Sequence, residues 1–148
     1  MNPAHFQIIL ADDDLDDCMF FEEALNEFPL SIHLIIIHNG EKLMQHLLNN
    51  SEQLPDLLFL DLNMPRKNGF ECLAEIKQNE KLKHLPVIII STSMVKDVVN
   101  LLYKNGAQYF IRKPGEFSQF KKVIHHSLTK IIRQTPLQPT KEEFVLSQ

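Results

Sequence analysis

Short runs of near-continuous Ile, Val, Leu and Phe punctuate this chain at regular intervals, at Phe6–Ala11, Ile32–Ile37, 57–60, 87–90 and 109–111. Runs of that length without polar alternation suit strands buried on both faces, the condition of a parallel sheet covered by helices. Between them the apolar period becomes helical. Cys18, Phe21, Leu25 and Phe28 share one face, and Leu43, Met44, Leu47 and Leu48 another. Phe70, Leu73 and Ile76 form a shorter stripe before a polar loop that ends at Pro86. Val95, Val98, Val99 and Leu102 lead to Asn105-Gly106, a helix C-cap signal, and Phe117, Phe120, Ile124, Leu128 and Ile131 mark a closing helix. A βα unit repeated five times predicts an α/β sandwich around a five-stranded parallel sheet.

The pattern fails after about residue 133. Residues 1–133 read as one domain, and 134–148 as a tail that carries Pro136 and Pro139 and no sustained period. Fraying is the expectation for the tail, with docking of Phe144-Val145-Leu146 on a partner surface as the alternative.

Composition narrows the function. The 148 residues carry a formal charge of −4, so a broad basic face for nucleic acid phosphates is not expected. The four glycines, Gly40, Gly69, Gly106 and Gly115, are not spaced as a dinucleotide fingerprint or a P-loop requires. Cys18 and Cys72 stand alone in sequence and read as small apolar core residues. No apolar run approaches the roughly 18 residues that span a bilayer, and the N-terminus has no signal-peptide pattern, so a cytoplasmic protein without membrane contact is expected.

In open parallel sheets, ligands bind at the carboxyl ends of the strands. The first run here ends in Asp12-Asp13-Asp14, the third in Asp61, the fourth in Ser91-Thr92 and the fifth in Lys113-Pro114. Carboxylates crowded on one rim repel one another unless a cation sits among them. Hard oxygen donors without His or Cys favour Mg2+, or a like divalent ion such as Mn2+, over zinc. The set suits phosphoryl transfer: a carboxylate as nucleophile, a metal and a lysine against the equatorial oxygens, and a hydroxyl donating to one of them. Each residue has a plainer reading. Asp14, Asp16 and Asp17 fall where a helix begins, so capping and dipole complementarity account for them. Ser91 or Lys113 alone would carry little weight. Asp12, Asp13 and Asp61 resist such readings, because a charge at the end of a buried strand is costly without a partner.

The stretches Ile8-Ile9-Leu10-Ala11-Asp12-Asp13-Asp14, Leu60-Asp61-Leu62-Asn63-Met64-Pro65 with Asn68-Gly69, Pro86-Val87-Ile88-Ile89-Ile90-Ser91, and Gly106-Ala107 leading to Lys113-Pro114 resemble the receiver domain of two-component response regulators. The resemblance reaches to about residue 130. It implies a doubly wound, flavodoxin-like sheet of order 2-1-3-4-5. It further implies phosphorylation of Asp61 by a histidine kinase or a histidine phosphotransfer protein. Asp13 would bind the metal directly and Asp12 through water, with the backbone carbonyl of Asn63 completing the protein ligands. Ser91 would bond the phosphoryl group on activation and Lys113 would pair with one of its oxygens, while the Lys113–Pro114 bond would be cis. Phe110 stands at the position of a switch aromatic, where many relatives have Tyr, and would turn inward as Ser91 moves.

The chain is thus expected to be a stand-alone receiver, a phosphoacceptor signalling protein rather than an enzyme. Output would pass to a separate effector, to a histidine on another protein in a phosphorelay, or to a second copy of the chain. A weaker resemblance points to stand-alone receivers paired with phytochrome-type sensor kinases. The competing reading, an aspartyl phosphatase using the Asp12-x-Asp14 spacing, would leave Asp61 without a role.

Overall fold

In the computed structural model, residues 6–133 and 138–146 are described. The strands are β1 (Phe6–Ala11), β2 (Ile32–Ile37), β3 (Leu57–Asp61), β4 (Val87–Ser91), β5 (Tyr109–Arg112) and β6 (Val145–Leu146). Alternating with the first five are α1 (Leu15–Asn26), α2 (Gly40–Asn49), α3 (Gly69–Gln78), α4 (Lys96–Lys104) and α5 (Phe117–Arg133). All pair in parallel in the order β2-β1-β3-β4-β5-β6. The expected 2-1-3-4-5 arrangement is therefore present and extended by one strand.

Strand alternation divides the core in two. Ile9, Ala11, Leu58, Leu60, Val87, Ile89 and Phe110 point to the face covered by α2, α3 and α4, where Leu43, Leu47, Leu73, Ile76 and Leu102 meet them. Their neighbours Ile8, Leu10, Leu57, Phe59, Ile88, Ile90, Tyr109 and Ile111 point to α1 and α5. There Phe21 packs edge-on against Phe59 at 4.8 Å between ring centroids. β3 and β4 are buried along their whole length, as their unbroken apolar runs predict. β2 lies at the sheet edge and is largely half-buried.

Two helical stripes are narrower than their sequences suggest. Leu48 is exposed on α2, because it is turned about 100° from the buried Leu47. On α4 only Leu102 is buried; Val98 and Val99 are half-buried, and Val95 is an exposed N-cap residue whose side chain makes no capping bond. Asn105 closes α4 and Gly106 follows at a φ of 98°, the left-handed conformation anticipated for a C-cap glycine.

The tail differs from the fraying expectation over 138–146; residues 134–137 and 147–148 lie outside the described residues. Gln138 Nε2 donates to the carbonyls of Tyr103 and Ala107, both at 2.7 Å, and so satisfies groups left open at the end of α4. Tyr103 donates its hydroxyl to the Pro139 carbonyl at 2.8 Å. A short 3₁₀ turn at Lys141–Glu143 then delivers Phe144 into the core beside Tyr103 and Phe110. Val145 and Leu146 pair with Phe110 and Ile111. One buried aromatic and a ladder on an open strand edge outweigh the unpromising local sequence.

Candidate functional site

β1 and β3 are adjacent although β2 intervenes in sequence, so the chain leaves in opposite directions at their carboxyl ends and opens a crevice there. Asp12 and Asp13 follow β1, Asp61 ends β3, Ser91 ends β4, and Lys113 follows β5. Of the anticipated set, the three carboxylates and the lysine come together, while Ser91 stands at the end of the neighbouring β4. One carboxylate oxygen from each of Asp12, Asp13 and Asp61 lies within 4.8 Å of the others, with Asp12 and Asp61 buried and Asp13 exposed. Lys113 Nζ reaches this cluster, 3.0 Å from Asp12 Oδ2 and 3.8 Å from Asp61 Oδ2.

Local structure holds each group in place. Asp12 donates its N–H to the Ile37 carbonyl at 3.0 Å, and its own carbonyl accepts from His38 Nδ1 at 3.0 Å. Its Oδ1 accepts from Asp14 N at 3.0 Å. Asn63 N–H donates to Asp61 Oδ1 at 3.4 Å. Behind Asp61, α3 begins very close to the strand: a Cβ on Gly69 would stand 2.6 Å from the Asp61 carbonyl oxygen and 2.8 Å from Leu62 Cα. Asn68 and Glu71 fix that approach with reciprocal capping bonds of 2.9 and 3.0 Å. Ser91 is buried, accepts from Ser93 N at 3.3 Å, and its carbonyl accepts from Lys113 N at 2.8 Å.

The electrostatics follow from crowding. Burial pushes the Asp61 carboxyl up to about 7, and the charge of Asp12 adds to the effect while Lys113 opposes it. Burial works against the Lys113 ammonium, but its bonds to Asp17 and Asp12 and the charges of Asp12 and Asp61 outweigh that and hold its pKa above the ordinary value. Three carboxylates on one rim, two of them buried, with an ammonium beside them, make an oxygen donor set suited to a hard divalent cation. Asp12, Asp13 and Asp61 could hold it.

Other expectations meet different outcomes. Asp14 is the N-cap of α1, accepting from Asp17 N at 3.0 Å, so the second acid of the Asp-x-Asp spacing is engaged in capping. Cys18 and Cys72 are buried, and burial pushes both thiols up to about 12. No peptide bond among the described residues is cis, so the Lys113–Pro114 bond is trans, contrary to the resemblance. The two isomers of an X–Pro bond differ by only about 0.5–1 kcal/mol, which sequence alone does not decide. Phe110 is already fully buried, because Phe144 and β6 cover the β5 edge.

Asp17 is the residue that sequence reasoning missed. It fits the first turn of a helix so well that the dipole accounts for it, yet its Oδ2 is 2.7 Å from Lys113 Nζ, the shortest contact that ammonium makes. An acid on the first turn of α1, one turn beyond the strand-end pair, was the available signal.

Comparison with known proteins agrees with this geometry. The family model of the response regulator receiver domain matches residues 8–125. The response regulator Rcp1 of Synechocystis sp. is 34% identical over 121 residues, covering 79% of this chain and 82% of the relative. The crystal structure of the phosphorylated cyanobacterial phytochrome response regulator RcpA superposes with a TM-score of 0.82 at 31% identity, covering 89% of this chain and 97% of that one. The Mn2+-bound form of Rcp1 gives 0.80 at 30% identity, over 91% and 99%.

Proposed function

The chain belongs to the response regulator receiver family, and from that premise we propose that it accepts a phosphoryl group on Asp61 from the phosphohistidine of a kinase or phosphotransfer protein. The observation that carries this reading is the convergence of Lys113 and the carboxylates of Asp12 and Asp13 on Asp61, at the mouth of the β1/β3 crevice. In the reaction an Asp61 oxygen attacks phosphorus, the P–N bond breaks, and its electron pair returns to the donor imidazole. Mg2+, or Mn2+ as in the Rcp1 relative, would offset the charge of the transferring group when held by Asp12, Asp13, Asp61 and the Asn63 carbonyl.

The remaining steps fall to the protein's own side chains. Lys113 shifts toward a phosphoryl oxygen and Ser91 donates its hydroxyl to another, giving up the bond from Ser93 N. The acyl phosphate adds roughly one negative charge at the strand end. Movement of Ser91 alters the exposed 92–95 loop and the start of α4, which has no side-chain cap to anchor it. Phe110 pairs with Ile89, two positions before Ser91 on β4, so the two side chains share one face of the sheet and the packing of Phe110 changes with Ser91.

A donor protein must approach this rim. Leu15, Met19 and Phe20 stand exposed on α1, and a groove of about 230 Å³ lined by Asp17, Phe20, Lys113, Pro114, Phe117 and Phe120 joins Phe20 to the site. An apolar helix face beside the acceptor suits the helical surface of a kinase. The likeness to RcpA supports a phytochrome-type kinase in that role. Downstream, an effector protein or a second copy of the chain would read the altered surface. Among the described residues no helix is long and apolar enough to cross a membrane; the proposed site of action is the cytoplasm, where a kinase of this kind would meet the chain.

The test is incubation with acetyl phosphate and Mg2+, followed by intact mass measurement. A gain of one phosphoryl group is expected in the native protein and not in Asp61→Asn. An equal gain in the variant would refute the assignment.

A further inference from the structure

We infer that Asp17 is a positioning residue that holds the Lys113 ammonium away from Asp61, and so restrains both phosphoryl acceptance and the lifetime of the acyl phosphate. The inference rests on Asp61 being the acceptor. Lys113 Nζ is 2.7 Å from Asp17 Oδ2, 3.0 Å from Asp12 Oδ2 and 3.8 Å from Asp61 Oδ2, so in the resting protein its strongest bonds lead away from the acceptor. Its side chain is only 8% exposed, which leaves little room for water to compete for the ammonium.

Asp17 is built to keep this hold. Its backbone N–H is fixed by the Asp14 cap at 3.0 Å, so its position on the first turn of α1 is set independently of Lys113. Asp17 is not one of the three clustered carboxylates, Asp12, Asp13 and Asp61. A cation seated among those three would draw Asp12 to itself and leave Asp17 as the protein carboxylate still competing with a phosphoryl oxygen for Lys113. Its side chain is 27% exposed, so this competing bond is partly screened and can be broken when the phosphoryl group arrives.

Removing the Asp17 charge has two consequences of opposite sense. Lys113 becomes free to meet the phosphoryl group, and one negative charge fewer repels an anionic donor, so acceptance quickens. The same loss of negative charge, with Lys113 closer to Asp61, weakens the attraction for a divalent cation. A residue with a merely structural role would, on removal, impair both.

The experiment compares native protein, Asp17→Asn and Asp17→Glu. At saturating Mg2+, Asp17→Asn should take up phosphoryl groups from acetyl phosphate roughly three- to tenfold faster and lose them more slowly after the donor is removed. Calorimetric titration without a donor should show its Mg2+ affinity lowered by roughly threefold or more. Asp17→Glu keeps the charge and should return both quantities toward native values. Slower or unchanged acceptance in Asp17→Asn, alongside a native protein that does label on Asp61, overturns the positioning role and leaves the function standing. A native protein that fails to label overturns both.

Discussion

Phe110 donates its backbone N–H to the carbonyl of Phe144 at 3.0 Å, and the two rings lie 6.5 Å apart between centroids, both fully buried. Phe110, the residue proposed to repack with Ser91, is therefore covered by the segment that carries Phe144. Phe144→Ala should cost about 2–4 kcal/mol in urea unfolding, somewhat below a full core truncation because the segment can detach locally. The Phe110 amide should lose its protection from hydrogen exchange while the β3 amides keep theirs. Retained protection at Phe110 would show that β5 is closed by other means.

The close approach at Gly69 makes a second, sharper demand. A methyl group there meets backbone atoms of Asp61 and Leu62 at 2.6 and 2.8 Å, and backbone cannot swing aside as a flexible side chain would. Gly69→Ala should destabilise the fold by about 1–3 kcal/mol and displace the end of β3. Calorimetry should find Mg2+ binding weakened beyond what the loss of stability explains, since Asp61 is the residue moved. Native affinity in a destabilised variant would mean that α3, not β3, yields.

How far the sequence reveals all this depends on whether a residue's local pattern and its tertiary role coincide. β3 and β4 are buried on both faces, so their unbroken apolar runs leave little choice of structure. Asp12 and Asp61 stand out because a charge ending such a run is expensive without a purpose. β6 is hidden: two residues have no period, and Phe144 is a lone aromatic among Thr, Lys and Glu whose burial depends on the β5 edge, with Phe110 34 residues earlier. Asp17 is hidden differently, since its place in the first turn of α1 accounts for it before its bond to Lys113 is seen. The loop before β4 reads as polar, yet Leu82 and Leu85 are buried beneath it and Lys77 Nζ donates to the carbonyls of Lys83 and Leu85.

Stability should depend on pH through Asp61. Burial, aided by Asp12, raises its pKa from an ordinary 3.8 to about 7, so the folded metal-free protein binds this proton more tightly than the unfolded chain. The contribution is fully present below about pH 4 and is lost as pH rises through about 7. Lys113 stays charged throughout this window, and the buried thiols stay protonated. In EDTA the unfolding free energy should therefore fall by roughly 2–4 kcal/mol between pH 5 and pH 8. Asp61→Asn should flatten the profile and be the more stable protein at pH 8, and saturating Mg2+ should flatten the native profile too. A native profile that rises with pH would mean that attraction to Lys113 outweighs burial at Asp61.

Leu15, Met19 and Phe20 offer a way to separate chemistry from recognition. They are 70%, 52% and 39% exposed, too open for their side chains to serve the core alone, and Phe20 touches Phe117 at 5.6 Å between centroids. Small donors such as acetyl phosphate need only the carboxylates, the cation and Lys113. A protein donor must also cover α1 while its phosphohistidine reaches Asp61, and apolar anchors near the centre of such a contact carry much of its energy. Met19→Ala combined with Leu15→Ala should leave labelling by acetyl phosphate within about twofold of native. Transfer from a phosphorylated cognate kinase should fall by roughly tenfold or more, chiefly through weaker binding. If transfer from the kinase persists at the native rate, the partner approaches over another face, and the β4–α4 side with exposed Met94 and Val95 becomes the surface to alter next.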